Sequence, residues 1–537
     1  MKIQINNKCV TVADGSTFED LCSKKYFLDS EFAMMGVINN KVCSLDTVIP
    51  ENAKVRVITL KETEGHRVFM RSITYLFTYV VNQFFPNAEV EVYHTINRGE
   101  YCNIKNVRFG ENELRLVGQE MERLIEQNLP FTKHVKLLDD LTMHNQAERL
   151  RLCKTINKDA CTVYELNGYM DYSGGILVPS TGYLKNFDIC SIGDNDALLL
   201  GPKKKDPSEI VEYSYQPNLM AEFDELRIWS EIHKIHYLAD LNLAILNKNY
   251  KEMIRVCEAL HEYKFAKVAT EVKEKDAKVV FVTGPSSSGK TTSANRIRIQ
   301  LMVRGSQPLI ISMDDYFIER DKMVRDENGN LDFECIEVVD LKEFKKQTDA
   351  LLFGKKVKLR RFDFKTGKGY YDEEYTQLPA GSEIIVEGIH AFNPKVQELF
   401  VDYETYKVCV NPLSLINLDD HNRISSTDCR KIRRMVRDRI HRGFGVEETL
   451  IMWPNIRAGE EKNIYPYLES ADEIINTTLV YELTVLKKYA EAALKEVSET
   501  SDCYIEAKRL LNVLSYFVSL EDESEIPKTS ILQEFLS

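Results

Sequence analysis

One eight-residue stretch constrains this chain more than any other. Gly284, Pro285, Ser286, Ser287, Ser288, Gly289, Lys290 and Thr291 satisfy the pattern G-x-x-x-x-G-K-[ST] at every position. Residues 279–282 ahead of it, Val-Val-Phe-Val, form an apolar, β-branched run of the kind that makes a strand buried on both faces. Residues 292–304 behind it predict a helix, stopped by Gly305 and Pro308. In that order of strand, glycine loop and helix, backbone N–H groups curl around phosphate oxygens and the helix N-terminus adds its dipole. The pattern therefore assigns residues 284–291, with Thr292 next to them, to nucleotide phosphates. Lys290 is placed to reach the β- and γ-phosphates, and the Thr291 hydroxyl to hold Mg²⁺. The alternative is an ordinary glycine turn before a helix, with a chance match on the order of a few per cent.

Two further apolar runs end in carboxylates. Residues 308–313 lead into Asp314 and Asp315, and residues 383–386 lead into Glu387 and Gly388. In open parallel sheets ligands gather at the carboxyl ends of the strands, so such carboxylates face the phosphates. Phosphoryl transfer to a hydroxyl needs a carboxylate that aims the nucleophile and accepts its proton, and Asp314 is the candidate. Asp315 suits a capping role. Glu387 is placed to hold Mg²⁺, directly or through water. With residues 406–410 and 473–476 as the remaining strands, the fold class is α/β with a doubly wound parallel sheet. Downstream, Arg430, Arg433, Arg434 and Arg437 share one helical face. Such a face suits a lid that closes over a triphosphate and neutralises developing charge; a solvated charged face is the alternative.

Composition narrows the class. A length of 537 residues suggests three or four domains, and 44% hydrophobic with 28% charged residues is an ordinary soluble balance. No apolar run approaches the ~18 residues of a membrane span, and the first residues lack a secretory signal, so a cytoplasmic protein is expected. Twelve scattered cysteines without a C-x-x-C pair read as reduced thiols and argue against a disulfide or zinc framework. The net charge of −13 argues against general nucleic-acid affinity.

Along the chain, residues 1–61 begin as a hairpin turned at Asn6 and Asn7. A short helix follows, capped by Ser16 and Glu19, and then strands around 35–38 and 54–60. This is the pattern of a small β-grasp sheet, and it resembles the TGS domain of threonyl-tRNA synthetases. Residues 62–202 resemble the editing domain that follows TGS in those enzymes, through residues 71–75, Phe85 and Pro86, 99–102 and 173–182. On that resemblance the family's metal-type constellation falls at Arg71, Tyr75, Ser173 and Leu177, a set that implies a catalytically silent domain. Residues 203–277 read as a helical connector, 278–480 as the nucleotide-binding unit, and 481–537 as packing helices whose last residues fray.

The sequence from 278 to 480 resembles the uridine kinases of the P-loop superfamily. The resemblance rests on residues 284–291, 312–317, 332–334, 361–364, 385–388 and 434–438, which come in that family's order. It implies transfer of the γ-phosphate of ATP or GTP to a nucleoside 5′-hydroxyl with Mg²⁺. It makes Asp314 the base, Glu387 the acidic residue near the metal, and Arg434 and Arg437 the lid, with Lys290 assisting. Phe317, Phe333, Glu334 and Phe362 match positions around the nucleoside. Three departures bear on the acceptor: the family has Asp at Glu334, Tyr at Phe362, and a base-reading His at about Gly367. The expected partner is a small nucleoside, with no membrane and with any nucleic-acid contact confined to the TGS-like region; a homo-oligomer stays open. Two other readings stay open as well: a kinase for another alcohol such as a sugar phosphate or pantothenate, and an NTP-dependent RNA-binding protein.

Overall fold

In the computed structural model the described residues are 1–6, 8–140, 147–325, 332, 334–414 and 416–536. The first sheet has five strands in the order Lys8–Thr11, Lys2–Ile5, Lys54–Thr59, Ala33–Ile38 and Lys41–Cys43. Only the contact between Lys2–Ile5 and Lys54–Thr59 is parallel. Its short helix, Phe18–Ser23, buries Phe18 and Leu21 against the sheet. The capping box sits one residue later than the sequence suggests. Asp20 N–H donates to Thr17 Oγ1 at 3.2 Å, and Thr17 N–H donates to the Asp20 carboxylate at 2.9 Å. Ser16 instead donates to the Ala13 carbonyl at 2.8 Å.

The helix Thr63–Phe84 then runs beneath a four-stranded antiparallel sheet, ordered Asp188–Gly193, Asp196–Leu200, Gly99–Lys105 and Glu89–Ile96. A three-stranded sheet, Tyr169–Tyr172, Ala160–Leu166 and Thr132–Leu137, completes this part. Three helices, Pro217–His233, Leu238–Leu246 and Tyr250–Glu274, lead to the nucleotide-binding unit.

There the sheet is wholly parallel, in the order Leu309–Ser312, Ile384–Glu387, Val279–Thr283, Thr405–Asn411 and Glu473–Asn476. All five strands are the short apolar runs expected from the sequence. Val279, Val280, Phe281 and Val282 are fully buried, as a central strand covered on both faces must be. The helix Lys290–Val303 follows the glycine loop. One face of the sheet shares a core with the connector and the helices beyond residue 480. The other face shares a core with Tyr101, Leu198 and Leu200 of the four-stranded sheet. The front and back parts are therefore joined through continuous apolar packing, the dominant stabilising term in such a contact.

The last described residues do not fray. Ile531, Leu532 and Phe535 are completely buried, and the turn Gln533–Leu536 lies against the glycine loop. Three apolar side chains withdrawn from water outweigh the entropy that otherwise loosens a segment like this one. Among the described residues no helix is long and apolar enough to cross a membrane, and the twelve cysteines are unpaired.

Candidate active site

The glycine loop has the backbone that its sequence demands. Gly284 passes so close to the Val410 carbonyl that a Cβ would collide with it, and Gly289 takes φ +84°. Ser287 also lies in the left-handed region at φ +59°, which costs a non-glycine residue free energy and is typical of a nest of N–H groups curled toward an anion. Lys290 folds back over the loop, donating to the carbonyls of Gly284 at 2.9 Å and Pro285 at 3.1 Å.

The neighbouring strand ends bring the predicted carboxylates together. Ser312 and Val282 both lie level with Glu387 in the sheet. Ser312 Oγ donates to Glu387 Oε1 at 2.9 Å, and Thr291 Oγ1 lies 3.5 Å from the same oxygen. Burial, and then the Asp314 charge, push the Glu387 carboxyl up to about 7. Asp314 is open to solvent, yet protein crowds around it, and that crowding raises its carboxyl against the pull of Lys290. Burial and the charges of Glu460 and Asp314 likewise push Glu334 up to about 7. Burial holds these three carboxyl groups above their ordinary values, and the opposing charge of Lys290 on each does not cancel it, so the site takes further positive charge. A divalent cation would supply it, and Thr291 with Glu387 offers oxygen donors of the kind Mg²⁺ takes. The glycine cradle and the Lys290 ammonium, bonded only to carbonyls, fit the phosphates in the same way.

The arginine helix, Ser426–Arg437, places its four arginines in two different settings. Arg434 Nη1 donates to Ser286 Oγ in the glycine loop at 2.6 Å, and Arg437 Nη1 reaches Glu534 at 3.5 Å. Both also face Asp438, which is fully buried and pairs with Arg442 at 3.2 Å. Arg430 and Arg433, expected on the same open face, are instead buried. Arg433 makes a two-pronged pair with Glu482 at 2.6 and 3.0 Å, and Arg430 pairs with Glu460. The helix lies between the loop and the core, so two of its four guanidinium groups are needed to neutralise interior carboxylates.

The aromatic positions behave differently. Phe317 and Phe362 are buried side by side, with ring centroids 5.8 Å apart, and Phe364 packs edge-on against both. Phe333 lies outside the described residues. Gly367 closes the hairpin between Arg360–Asp363 and Lys368–Tyr371 at φ +70°, and a Cβ there would fall 2.8 Å from Arg320 Cβ. In the editing-like region, Arg71 donates to the Ile176 carbonyl at 2.7 Å and Tyr75 to the Tyr164 carbonyl at 2.6 Å. Ser173 donates to the Gly175 carbonyl at 2.9 Å, and Leu177 is buried.

Three residues at the site had no role in the sequence reading. Ser312 orients Glu387. Glu460 accepts from Ser286 N–H at 2.9 Å, and Glu534 accepts from Thr292 Oγ1 at 2.8 Å. The last two lie on segments that no local pattern links to the glycine loop.

Taken together, the parallel sheet and the groups at its carboxyl edge define a P-loop kinase domain. Residues 279–483 match the model of the Phosphoribulokinase / Uridine kinase family. The N-terminal region is similar to threonine–tRNA ligases. That of Chlamydia caviae is 25% identical over 194 residues, covering 35% of this chain and 30% of that protein. That of Chlorobaculum tepidum is 29% identical over 164 residues, covering 29% and 25%. The chain thus spans between a quarter and a third of the length of these relatives. Among solved structures, a possible uridine kinase from Bacillus stearothermophilus is 18% identical with a TM-score of 0.25, covering 37% of this chain and 89% of that one. A putative fructose transport system kinase from Silicibacter is 17% identical with a TM-score of 0.30, covering 39% and 98%.

Proposed function

We propose that the protein is a cytoplasmic nucleoside kinase that transfers the γ-phosphate of ATP or GTP to the 5′-hydroxyl of a nucleoside, uridine or cytidine in the first place. The observation that carries the reading is the meeting, at one sheet edge, of the glycine loop, Lys290, Asp314 and the Thr291–Glu387 pair. Backbone N–H groups of the loop and the Lys290 ammonium grip the triphosphate. Thr291 and Glu387 would hold Mg²⁺, which when bound would supply positive charge against that of the phosphates. Asp314 accepts a hydrogen bond from the acceptor hydroxyl, aims its oxygen at the γ-phosphorus and takes its proton as the new O–P bond forms. Its raised affinity for protons suits that task. Arg434, already on Ser286, balances charge on the transferring group. Phe317, Phe362 and Glu334 are assigned to the acceptor side, and residues 1–61 and 62–202 to appended TGS-like and editing-like units without hydrolytic chemistry.

A panel of nucleosides with ATP and Mg²⁺, read by appearance of the nucleoside monophosphate, tests this. Turnover of uridine or cytidine is expected; phosphorylation of none of the nucleosides overturns it. Gly367 favours a second reading. A side chain at that turn would strike Arg320, so no residue there reads a pyrimidine edge, and an acceptor alcohol other than a nucleoside fits the same phosphate machinery. Adding sugar phosphates and pantothenate to the panel separates the two.

A further inference from the structure

Away from the glycine loop, a cavity of about 340 Å³ opens where the three-stranded sheet meets the helix Tyr504–Leu514 and the residues after it. That volume lies in the range of small-molecule sites, roughly 300–1,000 Å³. Among the described residues its wall carries three cations, Lys133, Arg149 and Lys158, and no carboxylate, in a chain with a net charge of −13. Arg149 is the central one. It is 1% exposed, and its guanidinium is sandwiched between the rings of Tyr172, at 3.4 Å, and Tyr516, at 4.5 Å. Among the described residues its buried Nε–H meets no hydrogen-bond partner of good geometry. Lys158 Nζ lies 3.9 Å from the centre of the Tyr516 ring. Asp419, which is not part of the cavity wall, pairs with Arg149 at 3.4 Å.

Asp419 also accepts from the backbone N–H groups of His421, at 3.1 Å, and Asn422, at 2.9 Å. Asn422 Oδ1 in turn accepts from Gly174 N–H at 2.9 Å, in the glycine pair that forms another part of the wall. The cavity and the loop leading to the arginine helix are thus one hydrogen-bonded unit.

We propose that this cavity binds a small phosphate-bearing molecule, its phosphate held by Lys133, Lys158 and the guanidinium of Arg149. Occupancy draws Arg149 from Asp419 and is registered by residues 416–425, ahead of the arginine helix. Because the glycine loop also binds phosphates, the test uses the full chain carrying Lys290→Ala. Inorganic phosphate, uridine monophosphate, citrate and a short RNA oligonucleotide are titrated by calorimetry. A phosphate or phosphate ester is expected to bind with little change from the unsubstituted chain. Binding should weaken about tenfold in Lys133→Gln and again in Lys158→Gln, which remove charge-assisted contacts at solvent-accessible positions. Amide exchange in 416–425 should slow with the ester bound. Arg149→Met abolishes binding, and the two lysine variants keep the test valid should it fail to fold. The proposal is overturned if neither phosphate binds below about 10 mM. It also fails if Lys290→Ala alone removes binding, if both lysine variants bind as before, or if citrate or RNA binds in preference.

Discussion

Replacing His421 tests how the cavity loop is held. Its Nδ1 lies 2.8 Å from an Asp171 oxygen, and both side chains are almost wholly buried. Burial alone would strip the imidazolium of its proton, but Asp171, followed by Asp420 and Asp419, outweighs it and raises His421 to about 9. A histidine whose folded value exceeds its unfolded 6.5 contributes stability that is fully present below pH 6.5 and lost as pH rises through about 9. At 1.36 kcal/mol per unit the contribution is about 3 kcal/mol. Hydrogen exchange at the imidazole C2 position, read by mass spectrometry, follows each histidine separately. His421 should titrate near 9, whereas His66 and His390 fall at about 4 and His94 and His261 at about 3. His421→Gln should lower the free energy of unfolding by about 3 kcal/mol at acidic to neutral pH and far less once the wild-type imidazole is neutral. A His421 midpoint at or below 6.5, or a cost equal at both ends of the range, refutes the reasoning.

Other outcomes follow from the site. Asp314→Asn should lower turnover about 10²–10⁴-fold while ATP affinity, measured by calorimetry, changes little; full activity would reassign the base. Gly284→Ala should abolish ATP binding or destabilise the chain, because its methyl meets the Val410 carbonyl; unchanged melting and unchanged affinity would contradict the packing. Glu534→Gln should tighten ATP binding severalfold, since a carboxylate at 2.8 Å from Thr292 Oγ1 repels phosphates at the same helix end; weaker binding would make Glu534 a donor-binding residue instead. Phe535→Ala should cost about 3–5 kcal/mol in denaturation, the range for an aromatic core truncation, and a silent substitution would restore the frayed end that the sequence suggests.

The kinase sheet was legible because each strand is a short apolar run buried on both faces. The meeting of Asp314 and Glu387 at one edge was foreseeable because a parallel sheet puts its strand ends there. Arg430 and Arg433 were misread for a physical reason. Helical spacing tells which side chains share a face but not what that face meets, and their partners Glu460 and Glu482 lie 30 and 49 residues away. The capping box slipped by one because Ser16 with Glu19 and Thr17 with Asp20 satisfy the same four-residue rule, and only the backbone chooses. Glu534 carried no local signal at all: its role exists only because Ile531, Leu532 and Phe535 bury themselves beside the loop.

The pairing of Arg149 with Asp419, across 270 positions of sequence, and of Tyr172 with Tyr516, across 344, limits how this protein could have been assembled or could be rebuilt. A chimera that exchanges either half for a homologous one would strand a guanidinium or a carboxylate in the interior unless the opposite half were altered in step. Change on one side of this seam would therefore have to be matched by change on the other.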